Sequence, residues 1–172
     1  MSPMRSQDAL GLLVTAAVLA LDQLSKAVVS HQIGLHESIA LIPGLLNLTH
    51  VRNTGAAFGI LSSQPSLVRS LILLASSLLA AGFILWIWFR QRNTSWSRTI
   101  PLGMILGGAL GNMLDRVRLG EVIDFLDLYW GRYHWPAFNV ADSAITVGIL
   151  LFLPALIMPH RDTPTRPPRG CP

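Results

Sequence analysis

The stretch FNVADSAITVGILLFLPALIM, residues 138–158, combines an apolar run with a cluster of polar residues. Residues 147–158 carry no charge, as expected of a segment that crosses a bilayer. The first half holds Asn139, Asp142, Ser143 and Thr146, whose spacing places them on one stripe that we expect to face the bundle interior. A charged side chain at the centre of a membrane helix costs about 2.5–3.5 kcal/mol, so such residues usually mark a site. The stretch therefore predicts a membrane helix with a functional site at one end.

The composition of the whole chain indicates the membrane class of protein. Of its 172 residues, 51% are hydrophobic and 13% are charged, whereas soluble domains carry about 25% charged residues. The length suits one domain, residues 1–158, followed by a disordered Pro-rich tail, residues 159–172. The single Cys171 can form no disulfide within the chain.

Four apolar segments predict four transmembrane helices, because about 20 helical residues cross the 30 Å hydrocarbon core. We place these helices at about residues 9–29, 67–89, 100–116 and 140–158. The first segment follows Arg5 and has a cleaved secretory signal as its alternative reading. Its apolar run is longer than the roughly 7–15 residues of such signals, which favours a retained helix.

Charge distribution predicts the orientation in the membrane. Four helices put both termini on one side, and the loop of residues 90–98 on that side carries three arginines and no acid. Lysine and arginine are retained in cytoplasmic loops, so we expect cytoplasmic termini. Most acidic residues then lie at the outer face, where we expect the active site.

The two outer loops differ in pattern. In the first, Ser38–Ile42 alternates as a strand does, Pro43 and Gly44 suggest a turn, and residues 45–51 resume an extended pattern. This predicts a small β-sheet within about residues 37–60. The second loop carries aromatic side chains suited to the lipid headgroup layer. They are Tyr129, Trp130, Tyr133 and Trp135.

Ionisable residues of separate helices share one depth near the outer face. On the third helix Gly103, Gly107 and Gly111 form a row that Asp115 continues, and small residues at this spacing let membrane helices approach closely. The polar residues at this depth are Asp22, Gln23, Ser25, Lys26, Arg52, Asn53, Asn112, Asp115, Arg116, Asn139 and Asp142. One interpretation is a structural cluster in which Asp22 pairs with Lys26 and Asp115 with Arg116.

An excess of carboxylates over cations in this cluster favours a second interpretation, paired-aspartate hydrolysis. Two neighbouring carboxylates do not both ionise easily, so one keeps a proton. The ionised member can deprotonate a water while the protonated member polarises a carbonyl. No cofactor is expected, and no metal, because the five histidines are scattered and no HExxH motif or cysteine pair occurs.

Two other classes compete with this reading. A Ser–Lys peptidase would use Ser143 and Lys26, provided that the two side chains meet. A non-enzymatic scaffold or small transporter would need no catalytic pair. A transport path should place ionisable groups at several depths, whereas the inner halves of these helices lack them, which disfavours transport.

Five motifs in order resemble the bacterial lipoprotein signal peptidase family, the type II signal peptidases. They are DQLSK (22–26), RNTGAAFG (52–59), GGALGNMLDR (107–116), VIDF (122–125) and FNVADSAIT (138–146). The resemblance implies an all-α membrane protein with four transmembrane helices, a small extracytoplasmic β-cradle and a short periplasmic helix in the first outer loop. It also implies a membrane aspartyl endopeptidase that cuts diacylglyceryl-modified prolipoproteins just before the lipidated cysteine and is a target of globomycin.

The resemblance further implies roles for single residues. Asp124 and Asp142 match the catalytic pair, a choice over Asp115 that the residues alone leave open. Positions that bind substrate are matched by Asn53, Gly55, Asn112, Arg116 and Asn139. Positions of structural polar support are matched by Asp22, Lys26 and Asp115. The expected setting is a monomer in the bacterial inner membrane, in contact with lipid and prolipoprotein, with the site toward the periplasm and no nucleic acid partner.

Overall fold

The computed structural model describes residues 6–54, 66–90 and 96–157. This part of the chain contains four helices: α1 (Ser6–Gln32), α2 (Ser66–Arg90), α3 (Trp96–Leu119) and α4 (Val140–Ile157). It also contains four strands: β1 (Ser38–Ile42), β2 (Leu46–Asn53), β3 (Val122–Trp130) and β4 (Tyr133–His134). All four expected helices are present. The predicted Pro-rich tail, residues 159–172, lies outside the described residues.

Helix α3 lies at the centre of the bundle, in contact with α1, α2 and α4. A Cβ atom on Gly107 would lie 2.7 Å from the backbone oxygen of Thr15 on α1, and one on Gly108 would collide with the backbone oxygen of Ala141 on α4. Only glycine permits helix backbones to approach so closely. The glycines of α3 therefore allow the close helix approach that was predicted, and the polar ends of α1, α3 and α4 meet.

The outer surface of the bundle is apolar. On α2, Leu79 is 75% exposed and Phe83 is 58% exposed. Two of the described helices, α1 and α2, are long and apolar enough to cross a membrane, and α4 contributes a shorter apolar stretch, Val140–Pro154. Large apolar side chains on the outside and small residues between the helices are the arrangement expected in lipid.

The four strands form one antiparallel sheet in the order β1-β2-β3-β4. The predicted hairpin of β1 and β2 is confirmed, and Leu45 N donates to Ile42 O at its turn. One face of the sheet packs on the end of α1, where Val29, Ile33 and Phe125 are buried together. This contact fixes β3 across the end of the helical bundle.

The sequence predicted the whole sheet in the first outer loop. This is wrong for β3 and β4, which lie in the second loop, between α3 and α4. Strand β3 contains the VIDF motif, and Val122, Ile123 and Phe125 are all buried. A strand buried on both faces lacks alternation and gives no period-2 signal. The expected helical bundle with a small sheet is present, and strands from both loops build that sheet.

A short helix was expected in the first outer loop. Residues 33–54 of that loop form turns and strands β1 and β2, without a helix. The remainder of the loop, residues 55–65, lies outside the described residues.

Candidate active site

Asp124 is the third residue of β3 and is 3% exposed. Both of its carboxylate oxygens accept hydrogen bonds from neutral amides: Oδ1 from Asn139 Nδ2 at 2.7 Å and Oδ2 from Asn53 Nδ2 at 3.0 Å. Asn53 lies at the end of the neighbouring strand β2, in the register that pairs Val51 with Asp124. The sheet thus holds this carboxylate and one of its donors side by side.

Asp142 lies in the first turn of α4 and takes part in a reciprocal helix cap with Asn139. The Asp142 backbone N–H donates to Asn139 Oδ1 at 2.9 Å, and the Asn139 backbone N–H donates to Asp142 Oδ2 at 3.3 Å. This is the geometry of a capping box, with asparagine at the cap and aspartate three residues later. The helix start therefore orients the Asp142 carboxylate, and the helix dipole favours its negative charge.

Two asparagine side chains connect the two aspartates. Asn112 Nδ2 donates to Asp142 Oδ1 at 2.8 Å. Asn139 is fully buried, and its Nδ2 donates to both Asn112 Oδ1 at 3.1 Å and Asp124 Oδ1 at 2.7 Å. The amides link the C-terminal half of α3, the start of α4 and the start of β3. All these side chains were predicted to belong to one site, and the structure brings them together.

Lys26 is 2% exposed and lies between two carboxylates. Its Nζ is 2.8 Å from Asp22 Oδ2 and 2.8 Å from Asp115 Oδ2, and it donates to Asn112 Oδ1 at 3.0 Å. Asn112 Oδ1 accepts hydrogen bonds from both Lys26 and Asn139. The side-chain oxygen of Asn112 therefore faces these donors, and its Nδ2 points toward Asp142. The buried lysine therefore fixes the orientation of a group that binds Asp142.

The expected pair of Asp115 with Arg116 is wrong. Asp115 pairs with Lys26 on α1, whereas Arg116 Nη1 donates to Ser77 on α2 at 3.1 Å. Consecutive residues on a helix point in different directions, so the two side chains reach different neighbours. The expected pair of Asp22 with Lys26 is confirmed.

Gln23 is a member of this cluster that was not assigned a role from the sequence. Its Nε2 lies 3.1 Å from Asp22 Oδ2 and 3.0 Å from Asp115 Oδ1, and so bridges both acids that flank Lys26. Asp22 Oδ1 in turn accepts from the backbone N–H of Ala141 at 2.9 Å, which caps α4 from another helix. The place of Gln23 inside the DQLSK motif, between Asp22 and Lys26, could have indicated this role from the sequence.

The Ser–Lys arrangement is absent from the described part of the chain. The Ser143 hydroxyl donates to the backbone oxygen of Asn139 at 2.8 Å, while Lys26 is occupied by two carboxylates and Asn112. The polar stripe on α4 is also only partly interior, because Thr146 is exposed and bonds the Asp142 carbonyl. Gly55, expected to bind substrate, lies outside the described residues.

The charge environment separates two kinds of aspartate. Asp22 and Asp115 are each paired with Lys26, whereas Asp124 and Asp142 have no ion pair within 4 Å among the described residues. Burial raises the pKa of the Asp124 carboxyl from 3.8 to about 6. The hydrogen bond from Asn53 lowers this pKa, and the negative charge of Asp142 raises it. The charge of Asp142 therefore disfavours ionisation of Asp124.

Such a pair can act as general acid and general base at once. The ionised member accepts a proton from water, and the protonated member donates a hydrogen bond to a carbonyl oxygen. Among the described residues, no cluster of three or more His, Cys, Asp or Glu side chains is arranged to hold a metal ion.

Residues 14–158 match the family model described as Signal peptidase (SPase) II. A lipoprotein signal peptidase of Syntrophus aciditrophicus (strain SB) is 48% identical over 151 residues, which cover 87% of this chain and 94% of that protein. A lipoprotein signal peptidase of Desulforapulum autotrophicum is 49% identical over 141 residues, covering 82% of this chain and 87% of that protein.

Two solved structures of bacterial membrane enzymes share the fold of this chain. A bacterial membrane enzyme determined by the in meso method at 2.3 Å resolution superposes with a TM-score of 0.77 at 29% identity, covering 95% of both chains. A second, at 1.9 Å resolution, superposes with a TM-score of 0.75 at 31% identity, covering 90% of this chain and 95% of that one. The family model matches most of the chain, and the two relatives are nearly half identical to it over more than four fifths of its length. This chain therefore belongs to the signal peptidase II family, the lipoprotein signal peptidases, which cleave signal peptides from prolipoproteins.

Proposed function

We propose that the protein is an aspartyl endopeptidase whose catalytic pair is Asp124 and Asp142. The observation that carries this proposal is the contrast between two pairs of buried acids. Lys26 forms ion pairs with Asp22 and Asp115, whereas the four oxygens of Asp124 and Asp142 accept hydrogen bonds, within the described part of the chain, from neutral amides only. Two adjacent carboxylates without a cation are the arrangement that retains one proton.

Hydrolysis would proceed without a covalent intermediate. The ionised carboxylate takes a proton from a water molecule, whose oxygen attacks the scissile carbonyl carbon, while the protonated carboxyl hydrogen-bonds to the carbonyl oxygen. The resulting tetrahedral intermediate collapses when the leaving amine receives a proton from the pair. The peptide C–N bond is then broken and water is consumed, so the pair returns to its starting state of one proton.

The neighbouring polar groups would hold the extended substrate. Arg116 is half-buried, and its guanidinium is electrostatically attracted to Asp142 and Asp124 without an ion pair to either. Its Nη1 donates to Ser77 and to the Asn112 backbone oxygen. The hydrogen bonds among the described residues leave Nη2 to donate to a substrate carbonyl. Asn53, Asn112 and Asn139 are proposed to position the scissile bond by the same amide contacts that they make with the carboxylates.

The substrate would be a prolipoprotein that already carries diacylglycerol on the cysteine after the cleavage site. Its acyl chains would remain in the bilayer beside the apolar outer faces of the helices, where each buried CH₂ contributes about 0.8 kcal/mol. This anchoring would set the depth of the cysteine at the polar cluster. In this proposal all four helices span the bacterial inner membrane, both termini are cytoplasmic, and the monomeric enzyme opens its site to the periplasm.

The test is cleavage of a diacylglyceryl-modified prolipoprotein peptide by the purified protein, with globomycin as inhibitor. We expect cleavage directly before the lipidated cysteine, inhibition by globomycin, and full activity in EDTA. Activity that EDTA removes and added zinc restores would contradict the aspartyl mechanism.

A further inference from the structure

Ser77, a residue of α2 outside all the recognised motifs, contacts the charged group of the candidate site. Arg116 Nη1 donates to Ser77 Oγ at 3.1 Å. The only other hydrogen bond of this nitrogen among the described residues, to the backbone oxygen of Asn112, is longer, at 3.5 Å. Ser77 is therefore the principal anchor of the Arg116 guanidinium, and it comes from a helix that supplies none of the proposed catalytic residues.

The Ser77 hydroxyl is itself oriented. It donates its single proton to the backbone oxygen of Leu73, one turn earlier in α2, at 2.8 Å. A serine hydroxyl has one donor and two acceptor lone pairs, so this bond leaves only acceptor capacity for other partners. The oxygen that faces Arg116 is thus fixed as an acceptor, which suits a guanidinium that can only donate.

An arginine near two unpaired carboxylates needs such an anchor. The charges of Asp142, Asp124 and Asp115 all attract the guanidinium, yet none of them lies within 4 Å of it among the described residues. A flexible side chain that moved onto either Asp124 or Asp142 would use its donors on these carboxylates, and the donors would then be lost to the substrate. A bond to Ser77 holds the guanidinium to the side through Nη1, and the hydrogen bonds among the described residues leave its Nη2 available as a donor.

We propose that Ser77 is a positioning residue for substrate binding, which holds Arg116 so that its free donors meet a carbonyl of the prolipoprotein. This inference rests on the proposed function, in which Arg116 binds substrate. It adds α2 to the elements that build the site.

The chain offers a matched control in the adjacent residue. Ser76 Oγ also donates to Leu73 O at 2.8 Å, but Ser76 is exposed and the described contacts give it no bond to Arg116. Ser76→Ala and Ser77→Ala therefore remove the same local bond within α2. They differ in the contact with the arginine. Threonine in a helix can make the same bond to the carbonyl one turn earlier, so Ser77→Thr should keep the acceptor.

The experiment measures KM and kcat for cleavage of the diacylglyceryl peptide by these variants, in detergent or vesicles. Because hydrogen bonds to charged groups are the stronger ones, Ser77→Ala should raise KM roughly tenfold with kcat little changed. Ser76→Ala and Ser77→Thr should resemble the unmodified protein. In an Arg116→Ala background, Ser77→Ala should add nothing, because the residue acts through the arginine.

The outcomes separate the two levels of the proposal. Full activity of Arg116→Ala would remove the substrate-binding role of Arg116 and thereby overturn the proposed function of that residue. A large effect of Arg116→Ala together with an unchanged KM in Ser77→Ala would overturn the positioning role alone. Equal effects of Ser76→Ala and Ser77→Ala would also overturn it, since both would then reflect the structure of α2.

Discussion

At the scale of single residues, the cluster is defined by which acid meets a cation. Sequence reasoning found the polar side chains of the helices and their common depth, because ionisable residues stand out in apolar segments, but Asp124 came only from the family resemblance. It assigned the pair of Asp22 with Lys26 within one helix but not the partner of Asp115, since pairing between helices depends on which neighbouring helix each side chain reaches. Asp115 and Arg116 are adjacent in sequence, yet one binds α1 and the other α2.

The observed pairing predicts the behaviour of Asp115→Asn. This substitution leaves the buried Lys26 with one carboxylate, and removal of a partner from a buried ion pair costs about 3–5 kcal/mol. We expect a loss below that range, because Asp22 still forms an ion pair with the lysine and its charge stays compensated. Thermal unfolding and activity per folded molecule check this: folding should suffer, while the folded fraction should still cleave. A normally stable but inactive Asp115→Asn protein would contradict the supporting role.

The raised pKa of Asp124 predicts a pH dependence. The pair requires one proton, and the pKa of this carboxyl is about 6, so kcat/KM should fall as the pH rises above about 6. The apparent pKa of this decline in kcat/KM belongs to the coupled pair as a whole and not to either aspartate alone. A pH–rate profile on the lipidated peptide tests it, and a rate that stays constant from pH 5 to pH 9 would contradict the shared proton.

The raised pKa of Asp124 also makes the stability of the fold depend on pH. The folded pKa lies above the 3.8 of an ordinary carboxyl, so the folded state binds more protons between about pH 4 and pH 6. Asp124 therefore destabilises the fold as the pH rises through this window, and Asp124→Asn should lose less stability over it than the unmodified protein.

At the scale of elements, the glycine row of α3 sets the distance between helices. Its spacing was readable from the sequence, whereas strand β3 was missed, because Val122, Ile123 and Phe125 are buried on both faces and give no alternation. The aromatic residues after them suggested only a membrane interface. The position of Asp124 beside Asp142 depends on that unpredicted strand, which is why the residues alone could not choose it over Asp115.

Gly107→Ala tests the close approach of α3 and α1. The added Cβ would lie 2.7 Å from Thr15 O and 2.8 Å from Val18 Cβ, so the helices must move apart, and overpacking of this kind costs about 1–3 kcal/mol. Gly82→Ala on α2 is the matched control, because nothing lies within 4 Å of its added Cβ. The melting temperature should fall for Gly107→Ala and hold or rise for Gly82→Ala. Equal changes in both would show that packing is not the cause.

At the scale of the whole molecule, the polar cluster lies at the end of a bundle whose outside is apolar. A substrate anchored in the outer leaflet reaches this depth without further binding energy, so cleavage should depend on the lipid. We expect kcat/KM to fall by orders of magnitude when the diacylglyceryl group is removed from the peptide, with the same sequence otherwise. Comparable values for lipidated and unlipidated peptides would contradict the anchoring.

The central claim is that Asp124 and Asp142 act as one catalytic unit, and turnover per folded molecule of their asparagine variants tests it most directly. Asp124→Asn and Asp142→Asn should each abolish hydrolysis, and the double variant should be no worse than either, because residues that act together lose function non-additively. Melting temperatures should change little, since each change relieves the repulsion between two carboxylates but sets an amide nitrogen against one of the amide donors of the site. If Asp124→Asn still cleaves while a well-folded Asp115→Asn does not, the catalytic pair has been assigned to the wrong residues.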